Sequence, residues 1–303
     1  MNPPQTATAS RARLLRRLAR LTAVLMLAVV SLSAYLRHQG AGVGCQPWPA
    51  CFGTIAAADA TVSASEAAAR LAHRITASTA LLLVIAMVVV SVARRPTLPS
   101  QARGSVVLLA LALGLAVLGL QTTGSRLPAV VLGNLLGGFA MLALAVRLAK
   151  DLDSPEPPAL GALLTLSLVA LLSHLAVGAL ASANYAVATC DGIVVCGEQA
   201  AAGGWDFSAL NPWQVLPAAP AAAAATVHFL HSAGSIAVSL LLLALIARCW
   251  RVRRRGAALA LFMMLALQIA LGASINLFGL SLGLVLFHNA GAALLLALLV
   301  KLR

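Results

Sequence analysis

Acidic residues are scarce: the 303-residue chain has only 8 Asp and Glu against 21 Lys and Arg. Charged residues of both signs make up 10% of it, while 61% is hydrophobic. That poverty of charge excludes a soluble domain, which needs far more polar surface. The few carboxylates also sit in the wrong places for some chemistries. None lies within the core of an apolar run, which disfavours a carboxylate proton relay through the membrane. Cysteine is sparse as well, with five residues, and their spacing is not that of a zinc cluster.

What is present is a series of long apolar runs. Crossing ~30 Å of hydrocarbon takes about 20 apolar residues in a helix. Runs near 20–38, 67–93, 104–123, 128–147, 159–182, 224–247, 257–276 and 282–300 meet that length. The expected fold class is therefore an all-α integral membrane protein with eight transmembrane helices. Residues 1–19 precede the first span as a basic segment. They resemble the n-region of a signal peptide, but no convincing cleavage site follows, so the run after them reads as span 1.

The +13 net charge suggests nucleic acid until its distribution is seen. With the N-terminus inside, only Arg37, Arg70, Arg74 and Arg126 of the 21 basic residues fall on the outer side. This is the positive-inside bias. It predicts a multi-pass protein of a bacterial inner membrane with both termini cytoplasmic, its basic ends touching lipid headgroups and no nucleic acid.

The chain reads as one four-helix unit written twice. His174-Leu-Ala-Val-Gly178 in span 5 is echoed by Gln268-Ile-Ala-Leu-Gly272 in span 7. Span 2 carries His73 and span 6 carries His231; span 4 reads Asn134-Leu-Leu-Gly137 and span 8 His288-Asn-Ala-Gly291. A Cys-x5-Cys loop precedes span 2 and another precedes span 6. Two pseudo-symmetric four-helix bundles are expected, over 20–150 and 159–303. The acidic, Pro-rich stretch 151–158 is the linker. Cys45 and Cys51 in the first outer loop, and Cys190 and Cys196 in the third, lie on the side expected to be oxidising, so each pair can form a disulfide. A metal site is the rival reading, disfavoured because no loop histidine joins them. Cys249 is alone on the inner side.

Ionisable residues inside a membrane are costly, and are functional candidates for that reason. His73, His174, His231 and His288 come from four spans. At 1.5 Å per residue they lie at one depth, roughly 10 Å below the outer surface. A layer of intramembrane imidazoles suits haem, a flat apolar disc whose iron takes neutral imidazole as an axial ligand. His231 and His288, at matching depth in the second half, are the ligand pair. His228 shares a face with His231 and either bonds a haem propionate or faces the loop. His38 stands at the outer end of span 1, where a polar residue is ordinary. Glu66, Arg70 and His73 share one face of span 2. Arg70 can pair with Glu66, or with Arg74 clamp haem propionates, or snorkel to headgroups.

These residues resemble the heme A synthase family of cytochrome oxidase assembly proteins. The most specific match is Gly44-Cys45-Gln-Pro-Trp48-Pro49-Ala-Cys51-Phe-Gly53. The third outer loop, from Asn184-Tyr185 through Cys190 and Cys196 to Trp205-Asp206-Phe207, is also similar, as is the His288-Asn-Ala-Gly291 motif. The resemblance covers nearly the whole chain after the basic segment. It implies oxidation of heme O to heme A, with heme b as cofactor held by His231 and His288, and heme O as substrate facing His73. Heme O synthase and cytochrome oxidase subunits are the candidate protein partners. Three positions depart from the family pattern: Arg70 where it has Glu, Asn134 where it has His, and His228 where it has Gln. On that reading His73 is the sole iron ligand for the substrate and Asn134 sits opposite it. A non-catalytic haem-binding assembly factor or carrier of the same fold is the alternative those departures suggest.

Overall fold

The computed structural model describes residues 3–39, 63–92, 98–120, 127–150, 160–184, 186, 189–214 and 221–303. Among them the only regular structure is helical: α1 (Pro3–His38), α2 (Ala64–Val92), α3 (Pro99–Leu120), α4 (Pro128–Ala149), α5 (Gly161–Ala183), α6 (Gly192–Ala202), α7 (Ala221–Arg251), α8 (Arg255–Phe278) and α9 (Leu282–Leu302). Eight are long and apolar enough to cross a membrane; α6, with 11 residues, is not. The eight expected spans are all present. Cys45, Cys51 and the linker 151–158 lie outside the described residues.

Two ends differ from the sequence reading. Helix α1 begins at Pro3, well ahead of residue 20. Nothing between Ser10 and Arg20 breaks a helix, and Arg, Leu and Ala all favour one. Arg11 holds the extension in place, donating to the Val90 carbonyl at 3.0 Å. Helix α6 lies where only a loop was expected. Gly192, at φ 81°, turns the chain into it.

The apolar side chains explain why the spans need lipid. Leu82, Val117, Leu240 and Met263 are each about 60% exposed, and exposed apolar surface on that scale marks contact with hydrocarbon or a partner. The buried side of each helix is a narrow stripe. In α2 it runs Ala80, Val84, Met87, Ser91, and in α5 Leu164, Leu168, Leu171, Leu175, Ala179. These are steps of three and four residues, one face of a helix.

The chain separates into two compact units, Met1–Thr123 with Gly137–Pro155, and Gly124–Leu136 with Glu156–Arg303. Residues 128–136, the first part of α4, therefore group with the second unit. In the first unit α2 packs on both α1 and α3. Glycines bring the rest of α4 against its neighbours: Gly137 faces Leu115 of α3, and Gly138 lies against Val30 of α1. In the second unit α5 packs on α7, α7 on α8, α8 on α9, and α9 returns to α5, closing a four-helix ring. Helix α6 lies on α7. Beyond α6, Asp206 accepts from the Ser208 amide at 2.8 Å, which holds its carboxyl below the usual carboxylate range.

Candidate functional site

The second unit gathers its histidines at the end of the ring that carries α6. His174 of α5 and His231 of α7 stack face to face, with ring centroids 4.4 Å apart and planes within 3°. His288 of α9 is close enough to interact electrostatically with both. So three of the four layer histidines are brought together. The fourth, His73, belongs to the first unit.

Glycine makes this approach possible. A Cβ on Gly178 would lie 2.8 Å from Cε1 of His231, and one on Gly234 would lie 3.0 Å from Nδ1 of His174. Each helix thus offers a bare backbone to the other's imidazole. Helices α8 and α9 repeat the device. A Cβ on Gly272 would lie 3.6 Å from Cε1 of His288, and Gly291 faces the Gln268 amide. Gln268 also donates to the His288 carbonyl at 3.2 Å. The sequence echo between His174/Gly178 and Gln268/Gly272 is therefore also an echo in packing, with Gln268 in the place of His174.

Whether this cluster suits a haem can be tested on its polar atoms. The Nδ1 atoms of His174, His231 and His288 are all buried and have no hydrogen-bond partner. A buried imidazole nitrogen without a partner costs ~1–3 kcal/mol, and three in one cluster mark a donor set built for something else. Among the described residues no carboxylate shares the cluster, and neutral imidazole with an apolar surround is what a haem iron takes. The residues fit that group.

His228, one turn away from His231, turns elsewhere. It is 2% exposed, and its Nδ1 lies 3.3 Å from Sγ of Cys196 and 3.6 Å from Sγ of Cys190. Its ring is thus set against the two cysteines of the third outer segment. Cys190 and Cys196 are joined by a disulfide, one of the two expected. A histidine does join these cysteines, through a helix and not a loop. The three could ligate a metal together only if the disulfide were opened.

In the first unit His73 accepts from or donates to Ser33 Oγ through Nε2 at 2.9 Å. Ser33, on α1, was not expected at the site; its polar side chain in an apolar run was the available signal. The Glu66 amide donates to Ser63 Oγ at the start of α2, and the Glu66 carboxylate pairs with the Arg70 guanidinium one turn on. The i, i+4 pairing is the one the spacing allowed. Nε of Arg70 is buried without a partner. Asn134, half-buried on α4, falls in the second unit, whereas His73, Arg70 and Glu66 fall in the first.

Two comparisons with known proteins bear on this arrangement. Residues 16–300 match the family described as cytochrome oxidase assembly protein. A heme A synthase from Shewanella oneidensis is 30% identical over 320 aligned residues, covering 93% of this chain and 94% of its own length.

Proposed function

The chain belongs to the cytochrome oxidase assembly protein family, and from that membership we propose that it works as the heme A synthase of its membrane. It is an oxidoreductase that converts heme O to heme A for cytochrome oxidase assembly. Haem is the chemistry both the family and the site share. The reading adds that the resident cofactor is heme b, held by His231 and His288. Their buried, partnerless Nδ1 atoms are the observation that carries it.

In the second unit this chain's residues do three things. His231 and His288 supply neutral imidazole donors from two helices of one ring. Gly178 leaves the His231 ring the room that a side chain there would take. The apolar stripe of α5, through Leu171, Leu175 and Ala179, lines the same ring of helices with hydrocarbon. A haem with two imidazole ligands passes single electrons when bound there.

In the first unit the substrate faces His73. Ser33 occupies Nε2 of that imidazole until substrate arrives. Arg70, tethered by Glu66, keeps one guanidinium nitrogen for an anionic group such as a heme O propionate. The two units then divide the work as cofactor half and substrate half of a bacterial inner-membrane protein, with both termini on the cytoplasmic side. Heme O synthase is the natural supplier of substrate, and a cytochrome oxidase subunit the receiver of product.

Expression in cells that make heme O but lack their own heme A synthase tests the reading directly. Heme A in the extracted pigments is the expected result. Only b- and o-type haem, with the protein present in the membrane, would leave it as a carrier.

A further inference from the structure

The disulfide between Cys190 and Cys196 is not surrounded by inert apolar contacts. His228 of α7 points its Nδ1 between the two sulfurs, nearer to Cys196 at 3.3 Å than to Cys190 at 3.6 Å. Sulfurs tied in a disulfide carry no proton. The contact is a hydrogen bond only if Nδ1 bears the hydrogen and donates it. Asn276 of α8 is a further side-chain partner of this ring, and the Asp191 carboxylate and His231 act on it electrostatically. So a buried proton donor is fixed against one sulfur of the pair. A disulfide that only staples a loop needs no such donor.

We propose that Cys190 and Cys196 form a redox-active pair that accepts two electrons from a dithiol, with His228 as the acid that protonates the leaving sulfur. This stands on the α6–α7 geometry and does not rest on the haem reading. The two residues differ in exposure: Cys190 is 6% exposed and Cys196 fully buried. A donor thiolate therefore attacks Cys190 Sγ. The Cys190–Cys196 bond breaks, and its electron pair leaves on Cys196 Sγ, which takes the Nδ1 proton of the His228 imidazolium and leaves that ring neutral. The donor's second thiolate then attacks the donor sulfur bound to Cys190. A disulfide forms within the donor, Cys190 Sγ departs and takes a proton from water, and His228 recovers its own from water. Two electrons and two protons have passed from the dithiol to the protein.

Two consequences separate this from a staple. A neighbouring donor stabilises the reduced form and so makes the disulfide a stronger oxidant. It also lowers the pKa of the thiol it faces.

The test uses the full chain in detergent with dithiothreitol as the dithiol. Differential alkylation and peptide mass spectrometry follow Cys190 and Cys196 apart from the other cysteines. The native protein is expected to be reduced while folded. His228→Gln should slow that reduction about tenfold and shift the equilibrium with dithiothreitol about tenfold toward the disulfide, which is ~30 mV. Equal rates and equilibria in the two proteins, or reduction only on unfolding, would overturn the proposal. A second measurement leaves His228 in place. In Cys190→Ser, the Cys196 thiol should alkylate with a pKa below the ordinary ~8.5; a value at or above that overturns the proposal too.

Discussion

Gly178 of α5 faces the imidazole of His231 on α7 so closely that a single added methyl would meet the ring at 2.8 Å. The side chain proposed to hold iron therefore owes its position to the absence of one on the opposite helix. Gly178→Ala should force the ring aside, at the ~1–3 kcal/mol that overpacking costs, and change the visible absorption of the bound haem. Gly272→Ala is the matched comparison. Its Cβ would sit 3.6 Å from His288, an ordinary contact, and its spectrum should be that of the parent. Identical spectra for both variants would show that the glycine approach does not position the ligand.

The stacked partner, His174, has the same buried and partnerless Nδ1 as His231. The packing echo assigns the two different work. Gln268 stands in the place of His174 beside α9, so the position accepts an amide. His174→Gln should keep haem and its low-spin spectrum, while His231→Ala and His288→Ala should each lose it. The measurement is haem per protein with optical spectra of the purified variants. Loss of haem in His174→Gln, with retention in His231→Ala, would exchange the assignments.

Much of this was legible beforehand. The eight spans follow from hydropathy alone, because hydrocarbon thickness imposes a length that few soluble helices share. The Glu66–Arg70 pair was one of the readings the spacing allowed, and the Cys190–Cys196 disulfide was one the oxidising side allowed. What hydropathy could not mark was where a helix continues past its apolar stretch, as α1 does back to Pro3. It could not mark α6 either, since its 11 residues are too short for a span. Relationships across helices were also hidden. The stacking of His174 on His231 depends on which faces meet, and Ser33 is 40 residues from the His73 it touches.

That serine makes a prediction of its own. Nε2 of His73 is already engaged by Ser33 at 2.9 Å, so an iron binding that nitrogen must displace the hydroxyl. One net hydrogen bond is worth about 1 kcal/mol. Ser33→Ala should therefore tighten heme O binding about fivefold, while His73→Ala should abolish heme A and leave the second unit's haem signal intact. Titration of purified protein with heme O measures the first, and pigment extraction the second. Weaker binding in Ser33→Ala would mean that the serine orients the ring for its other nitrogen.

Arg70 joins two of the three readings that the sequence left open, because its guanidinium has more donors than one carboxylate can use. Glu66 takes one terminal nitrogen, and Nε remains buried without a partner. Glu66 and Arg70 are 16% and 25% exposed, so the pair is partly screened and contributes only ~0.5 kcal/mol or less to the helix. Its value would lie in aim: a tethered arginine loses less rotamer freedom on meeting an anion. A charge-assisted bond to that anion is worth ~1.5–3 kcal/mol. Arg70→Gln should therefore raise KM for heme O about tenfold or more and leave kcat within about twofold, since a propionate contact is made equally in ground and transition states. Glu66→Gln should change thermal stability little and KM less than Arg70→Gln does, because the arginine keeps its charge. A fall in kcat at unchanged KM would place Arg70 at the reacting carbon instead. No change in either constant would reduce the pair to a feature of the helix surface, and the substrate carboxylates would then have to be met elsewhere in the first unit.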